Sequence, residues 1–192
     1  MTAGTKPRGR DSVRAALIAS AAQLFAERGP KAVSVRDVAK AAGVNHGLVH
    51  RHFGSKHGLL KAVMSELTDQ IAEAVGEPQP GETLDEFMRS ALAVTGDVGL
   101  HWRILARALL DGEDPAELQG EFPVVARMLE AARRSTGQSA IAPETLITVA
   151  ISLGLGFLVF APYAQQATGQ DEAQWEQTKS ELRGLVAGLI RT

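Results

Sequence analysis

Apolar residues recur at every third or fourth position through most of the chain, and this spacing constrains the fold more than any other feature. In the first such segment, Val13, Leu17, Ala21, Leu24 and Phe25 follow one another in this way. Such spacing places side chains on one face of an α-helix. Alternation with a period of two, which is typical of half-buried strands, is almost absent. The pattern therefore predicts an all-α protein.

Residues that favour the ends of helices divide this pattern into segments. Asp11 or Ser12 can cap the first helix, and Gly29-Pro30 follows its end. Ser34 and Asp37 form a capping box for the second helix, and Gly43 separates it from the third. Asn45 and Ser55 are the expected caps of the third and fourth helices. Further helices are expected at about 83–95, 98–111, 115–119, 123–135, 143–165 and 171–190. This gives about nine longer helices.

Charge is distributed very unevenly along the chain. Residues 1–61 carry a net charge of +8, and residues 62–192 carry −10. Such a division favours a basic module that binds a polyanion, joined to an acidic module with another role, over a chance run of solvated charge.

The chain contains no cysteine, so disulfides, thiol catalysis and zinc–thiolate sites are excluded. Its N-terminal segment lacks the apolar stretch of a secretory signal, and we expect a cytoplasmic location.

Four of the five histidines lie between Asn45 and His57. A helical projection places His52 on the core side with Leu48 and Val49. It places the others on the exposed side: His46, Gly47, His50 and Arg51. His46 and His50 could share a metal, but no acidic residue lies between Val38 and Met64 to complete a site. A catalytic base would need an orienting partner, which this face lacks, so we expect no metal, no cofactor and no enzymatic activity.

DNA recognition explains this region better. A capped helix, a turn at Ala42-Gly43-Val44 and a second short helix form a helix-turn-helix pattern. The exposed side of the second helix can then reach base edges or phosphates. Ser34 and Lys56 stand at helix N-termini, which favour phosphate. Arg8 and Arg10 belong to a basic arm that could enter a minor groove.

These motifs also carry a family resemblance. LFAERG, SVRDVAKAAGV, the glycine at position 47 and HFGSK occur in the order and spacing of TetR-family regulators, so the segment from about Val13 to Val63 resembles their N-terminal domain. The resemblance implies an all-helical homodimer. It would have three DNA-binding helices and a divergent C-terminal domain that senses a small molecule, and most members repress transcription.

The resemblance also implies particular DNA contacts. The family's phosphate-contacting positions fall on Ser34, Leu48, His50 and Lys56, although Leu48 stands where threonine is common and His50 where tyrosine is common. Together with the residues of the exposed helix face, the expected DNA-binding set is Ser34, Arg36, Asn45, His46, Gly47, Leu48, His50, Arg51 and Lys56.

The second half contains methionine and aromatic residues at helical spacing. Such residues usually form plain core, but in the resembled family they often line a cavity for an effector, here expected to be an apolar small molecule. The candidates are Phe87, Met88, His101, Trp102, Phe122, Met128 and Phe157. The last two helices carry apolar stripes, which the family pairs between subunits and which could also pack within one chain. The expected interface residues are Leu153, Phe157, Trp175, Leu182, Val186 and Leu189.

These features predict three parts: a flexible basic arm at 1–10, a DNA-binding domain at 11–58 with its motif at about 34–53, and a regulatory and dimerisation domain at 59–192. The function predicted is a transcriptional regulator of a near-palindromic operator, foremost a repressor that a ligand releases. The alternative is a ligand-binding or interaction module on the same fold without specific DNA binding.

The uncharged stretch near 145–170 contains Thr148, Ser152 and Pro162 and no flanking basic cluster, which favours a buried helix over a membrane span.

Overall fold

The computed structural model describes residues 7, 9–82, 86–87, 99–135 and 141–189, apart from the side chains of residues 135, 158, 183 and 185–189. Within these ranges the chain forms nine helices and no strand, so the all-α prediction is confirmed. The helices are α1 (Arg10–Arg28), α2 (Val35–Ala41), α3 (Gly47–Phe53), α4 (Lys56–Val75), α5 (Gly99–Leu110), α6 (Pro115–Leu118), α7 (Pro123–Ser135), α8 (Pro143–Thr168) and α9 (Glu172–Leu189). Of the helix expected at about 83–95, only Glu86 and Phe87 are among the described residues.

The described residues pack into two compact units. Unit 1 comprises the chain up to Gln70 together with the segment that ends at Glu121, and unit 2 comprises the segments that begin at Ile71 and Phe122. The predicted boundary after residue 58 divides the chain differently, because α5, α6 and most of α4 pack with the first three helices. Periodicity could not reveal this, since it identifies a buried face but not the helix that covers it.

The two ends of α1 differ from each other in how they are stabilised. The helix begins at Arg10 without a side-chain cap, so the caps expected from Asp11 or Ser12 are wrong: both residues already lie in the first turn. The C-terminal end follows the prediction. Gly29 has a positive φ of 83° and its N–H donates to the carbonyl of Phe25 at 2.9 Å. Glycine adopts this conformation without the steric penalty that a side chain would cause.

Each of the first four helices contributes fully buried side chains to the core of unit 1. They include Leu17 and Phe25 from α1, Val38 from α2, Val49 from α3 and Leu59 from α4. From α5, Ile104 and Ala108 join the same core. Val49 is the buried residue of α3, so this short helix is held to the core by one apolar side chain and by its partly buried neighbours. The core of unit 2 is formed by Phe87, Met128, Ala131, Ala132 and Ile147.

Helix α8 is bent by 66° between Pro143–Phe157 and Val159–Thr168. Pro162 accounts for the bend, because it lacks an N–H and because its ring would clash in a straight helix with the carbonyl of Leu158, four residues earlier. None of the described helices is by itself long and apolar enough to cross a membrane, and the two arms of α8 reach that length and composition only as a bent pair.

Among the described glycines of unit 1, Gly58 has the least room for a side chain. It lies in the first turn of α4, where a Cβ atom would stand 2.1 Å from the carbonyl oxygen of Phe53 at the end of α3. The obstructing atom belongs to the backbone, so it cannot swing aside as a flexible side chain could. Glycine is therefore required for α3 and α4 to approach each other this closely.

We expect Gly58→Ala to destabilise the protein by roughly 1–3 kcal/mol, because the new methyl group forces α3 away from α4. Gly99→Ala is the matched control, since a Cβ at the start of α5 meets only the flexible end of Arg103 at 3.9 Å. The control should be neutral or slightly stabilising, because alanine has the higher helix propensity. Urea unfolding of both variants measures the effect, and equal stability of the two would contradict the assigned contact.

Candidate nucleic-acid interface

Helix α2 begins with the capping box that the sequence predicts. The Ser34 hydroxyl accepts a hydrogen bond from the Asp37 N–H at 3.2 Å, and the Asp37 carboxylate accepts one from the Ser34 N–H at 2.9 Å. The carboxylate also accepts from the Ser34 hydroxyl at 2.6 Å. These bonds, first the hydroxyl and then the backbone N–H, lower the pKa of Asp37. The only acidic side chain of α2 is thus engaged with its own helix N-terminus.

The turn between α2 and α3 is formed by Gly43, which has a φ of +68°. Helix α3 then begins at Gly47, two residues after the predicted cap at Asn45. Asn45 still stabilises the helix start, because its side-chain oxygen accepts a hydrogen bond from the Gly47 N–H at 2.8 Å. The amide NH₂ of Asn45 can still donate to a DNA partner, and its oxygen keeps one acceptor position.

Helix α3 presents a polar face to solvent. His46, Gly47, His50 and Arg51 are exposed, whereas Leu48 and His52 are half-buried. Leu48 packs against the hydrophobic core, so its expected DNA contact would have to use the exposed part of its side chain. The ring of His52 lies 6.0 Å from that of Phe53, centroid to centroid, and forms no hydrogen bond to the described residues. In the described part of the chain, no group of three or more potential ligands is placed to hold a metal ion.

One basic residue near this face was missed by the sequence analysis. The guanidinium carbon of Arg14, on α1, lies 5.9 Å from the ring centroid of Phe53, at the C-terminal end of α3. This is a cation–π distance, and it adds positive charge beside α3. Nothing in the local spacing connects Arg14 with Phe53. Their proximity results from the packing of the helices in unit 1.

Lys56 has a different environment from the one expected. Its ammonium donates to the carbonyls of Pro30 and Lys31 in the α1–α2 loop, at 3.0 and 3.3 Å. Of its three N–H donors, one remains for a phosphate. Lys56 thus ties the loop before α2 to the start of α4.

The first two turns of α4 also contact the segment from α5 to α6, within unit 1. His57 Nδ1 lies 3.3 Å from the Glu113 carboxylate, and the Lys61 ammonium lies 2.9 Å from that of Glu117. The hydrogen bond and the charge of Lys61 lower the pKa of Glu117. A shallow cavity of about 180 Å³ lies alongside, lined by Pro30, Lys31, Lys56, His57, Leu60, Asp111 and Glu113. None of the expected effector-binding residues lines it.

The expected effector-binding residues that the structure describes are found in both units. Phe87 and Met128 lie in the core of unit 2. His101 and Trp102 lie on α5 in unit 1, with their rings in an edge-to-face contact at 5.0 Å. Phe122 is half exposed to solvent, and Met88 lies outside the described residues.

The expected interface residues also have varied environments. Leu153 is exposed, and Leu182 is half-buried. Trp175 is buried within the chain, where its ring stacks on Phe157 at 5.4 Å and joins α8 to α9. The side chains of Val186 and Leu189 lie outside those that the structure describes.

His101 is a buried titratable residue in unit 1. Its Nε2 lies 3.2 Å from the Thr68 hydroxyl, and its Nδ1 is buried without a full hydrogen bond. Burial lowers the pKa of His101 to about 4, and the nearby Gln119 opposes this shift only in part. The ring is therefore neutral at pH 7 and contributes an apolar body with one polar contact to the core.

Comparison with known proteins agrees with this geometry. Residues 17–63 match the model for bacterial regulatory proteins of the tetR family. The chain is 37% identical over 184 residues to the HTH-type transcriptional repressor Rv3405c of Mycobacterium tuberculosis, which covers 96% of this chain and 92% of that protein. Two solved structures share the fold. Salmonella enterica GusR has a TM-score of 0.68 at 20% identity, covering 98% of this chain and all of that one. A tetR-family regulatory protein from Rhodococcus RHA1 has a TM-score of 0.67 at 18% identity, covering 93% and 96%.

The identity and coverage of these matches establish the family, as the helix-turn-helix had indicated. The chain belongs to the TetR family of bacterial helix-turn-helix transcriptional regulators, which are DNA-binding proteins.

The buried His101 leads to a pH-dependence of stability. The histidine is exposed in the unfolded chain, which therefore binds a proton near pH 6.5, while the folded protein resists protonation down to about pH 4. The contribution of His101 to stability is thus constant above pH 6.5 and decreases as the pH falls from 6.5 to 4, by roughly 3 kcal/mol at most.

Urea unfolding of the wild type and of His101→Gln at pH 7 and 4.5 tests this effect. The glutamine stays neutral, so the stability difference between the two proteins should change in favour of the variant as the pH falls. His46→Gln, which replaces an exposed histidine, serves as the control and should retain the wild-type profile. A difference between wild type and His101→Gln that is constant with pH would show that His101 does not resist protonation.

Proposed function

We propose that this protein is a homodimeric repressor in the cytoplasm whose α3 helices enter successive major grooves of a near-palindromic operator. The observation that carries the proposal is the exposed surface of α2 and α3. It presents Arg36, His46, His50 and Arg51, and the sequence contains no acidic residue from Ala39 to Val63. Asp37, the nearest carboxylate, is engaged by Ser34. A surface of this kind attracts the phosphate backbone and leaves donors free to contact base edges.

The proposals that the protein represses transcription and that a ligand releases it from DNA have separate support from the proposal of DNA binding. The 37% identical relative is named a transcriptional repressor, and the present chain shares nearly its whole length. A small molecule that prefers a conformation with wrongly spaced α3 helices would shift the population away from DNA. We propose an apolar effector, since the expected effector-binding residues are mostly aromatic or aliphatic.

The homodimer is supported by an exposed apolar stripe on α8. Val149, Leu153, Phe160 and Tyr163 are large side chains between 40% and 75% exposed. With Gly156, they follow one another at alternating spacings of four and three residues, which is the spacing of helices that pack along a seam. A large exposed apolar patch on a folded protein usually marks an interaction site. Only Leu153 of these is among the interface residues expected from the sequence, because α8 is apolar around most of its circumference and periodicity does not identify its exposed face.

The DNA contact can be tested with Arg51→Ala and the matched variant Arg134→Ala, which removes an arginine from α7 in unit 2. The probe is the duplex that the wild type enriches from a random-sequence library. Arg51→Ala should weaken binding roughly tenfold or more, and binding by the wild type should weaken steeply as salt increases. Arg134→Ala should bind as the wild type does. Fluorescence anisotropy at several salt concentrations provides the measurement. Failure to enrich any duplex would instead favour a module without specific DNA binding.

The dimer can be tested by placing a carboxylate in the α8 stripe. Phe160→Asp should convert the dimer to a monomer, since burying an unpaired charge at an interface is strongly unfavourable. Leu110→Asp makes the same kind of change at a side chain that is 78% exposed on α5 and should leave the dimer intact. Sedimentation velocity over a range of concentrations distinguishes the two. A dimer that persists in Phe160→Asp would exclude this stripe as the interface.

A further inference from the structure

The ring of His50 is held by the end of its own helix. Its Nδ1 lies 3.1 Å from the carbonyl oxygen of Gly54. Gly54 ends α3 with a φ of +74°, and its N–H donates back to the His50 carbonyl at 2.9 Å. A carbonyl oxygen can only accept a hydrogen bond, so Nδ1 must carry the hydrogen. In the neutral ring, Nε2 then has a lone pair and no hydrogen.

This arrangement restricts what a neutral His50 can bind. The side chain is exposed, and Nε2 makes no polar contact with the described residues. A bare Nε2 accepts hydrogen bonds, and a DNA phosphate also only accepts them, so the two cannot form a hydrogen bond. Protonation changes this outcome, because the imidazolium keeps the bond to Gly54 and gains a second N–H at Nε2.

The position of His50 favours a phosphate over a base. In helix-turn-helix proteins the N-terminal residues of the recognition helix contact the base edges. His50 is the central residue of α3, after the N-terminal residues of the helix, and its ring is turned toward Gly54 beyond the helix end. Most protein–DNA hydrogen bonds are made to the sugar–phosphate backbone.

The charged and titratable groups of α2 and α3, of the first turn of α4 and of Arg14, which contacts Phe53, are almost all basic. They are Arg36, Asp37 and Lys40 on α2, His46 just before α3, Arg51 and His52 on α3, Arg14 on α1, and Lys56 and His57 at the start of α4. Asp37 is the one carboxylate in this set, and Ser34 engages it. Among these groups, no free carboxylate can pair with an imidazolium at position 50. A DNA phosphate would supply that negative charge.

We propose that His50 binds a DNA phosphate only as the imidazolium, so that DNA binding takes up a proton at this residue and strengthens as the pH falls from about 8 to 6. This inference rests on the proposed DNA-binding role of α3. Under this proposal the pH changes the DNA affinity of the protein independently of any effector.

The test compares the wild type with His50→Phe and His50→Tyr on the duplex enriched from the random-sequence library, at constant salt and several pH values. The ratio of wild-type to His50→Phe affinity should rise from near one at about pH 8 to about tenfold at about pH 6, the usual strength of a hydrogen bond to a charged group. His50→Tyr should bind well without this rise, because its phenol O–H donates at every pH in this range. Calorimetry in two buffers of different ionisation enthalpy should show proton uptake for the wild type that is absent in His50→Tyr.

His46→Phe is the control for a general effect of exposed histidines, and it should retain the pH-dependence of the wild type even if its affinity is lower. A loss in His50→Phe that is equal at every pH would overturn the proposal, and so would no loss at all. A loss that grows as the pH rises would also overturn it, since the neutral ring would then be accepting a hydrogen bond from a base. If no duplex is enriched, the DNA-binding proposal fails together with this inference. An enriched duplex with a flat affinity ratio removes only the role of His50.

Discussion

The direction in which α3 projects depends on the contact between Phe53 and Gly58. The carbonyl that ends α3 lies so close to the first turn of α4 that no side chain fits between them. Lys56 adds a second constraint, because its ammonium holds the loop before α2. Both constraints act on the start of α4. Together with the burial of Val38 and Val49 in the core, this junction sets the positions of α2 and α3, which carry most of the proposed DNA contacts.

Local features of the fold could be predicted from the sequence because their causes are local. The box formed by Ser34 and Asp37, the end of α1 at Gly29 and the bounds of most helices depend on residues only a few positions apart. The start of α3 differs from the prediction by one residue, since a cap at Asn45 would start the helix at His46 and the helix begins at Gly47. Asn45 does cap the helix, but it does so through the N–H of Gly47, and sequence spacing does not distinguish this geometry from the usual cap.

Features that join distant parts of the chain could not be predicted in this way. The bond from Lys56 to Pro30 spans 26 positions, and the contact between α1 and α5 spans many more. Each depends on how whole helices pack, about which a pattern of single residues says nothing. The expected effector-binding set illustrates the same limit. Of its members, Phe87 and Met128 pack in a core cluster of unit 2, whereas His101 belongs to unit 1.

The basic side chains of unit 1 fall into two groups, those that face a carboxylate and those that do not. His57 and Lys61 face Glu113 and Glu117, so part of the basic character is balanced within the unit. Arg36, His46, His50 and Arg51 are exposed and have no such acidic partners among the described residues. The positive potential is thus concentrated on one side of the helix-turn-helix, where it can orient the protein on a polyanion before specific contacts form.

The bend that Pro162 produces in α8 has a consequence for the choice of partner. Two helices bury the most surface when their curvatures match, and a second copy of this chain has the same bend at the same place. A straight apolar helix from a related regulator in the same cell could follow only one arm of α8. If α8 forms the dimer interface as proposed, this shape would discourage mixed assemblies, and one proline would help to keep parallel regulatory circuits separate.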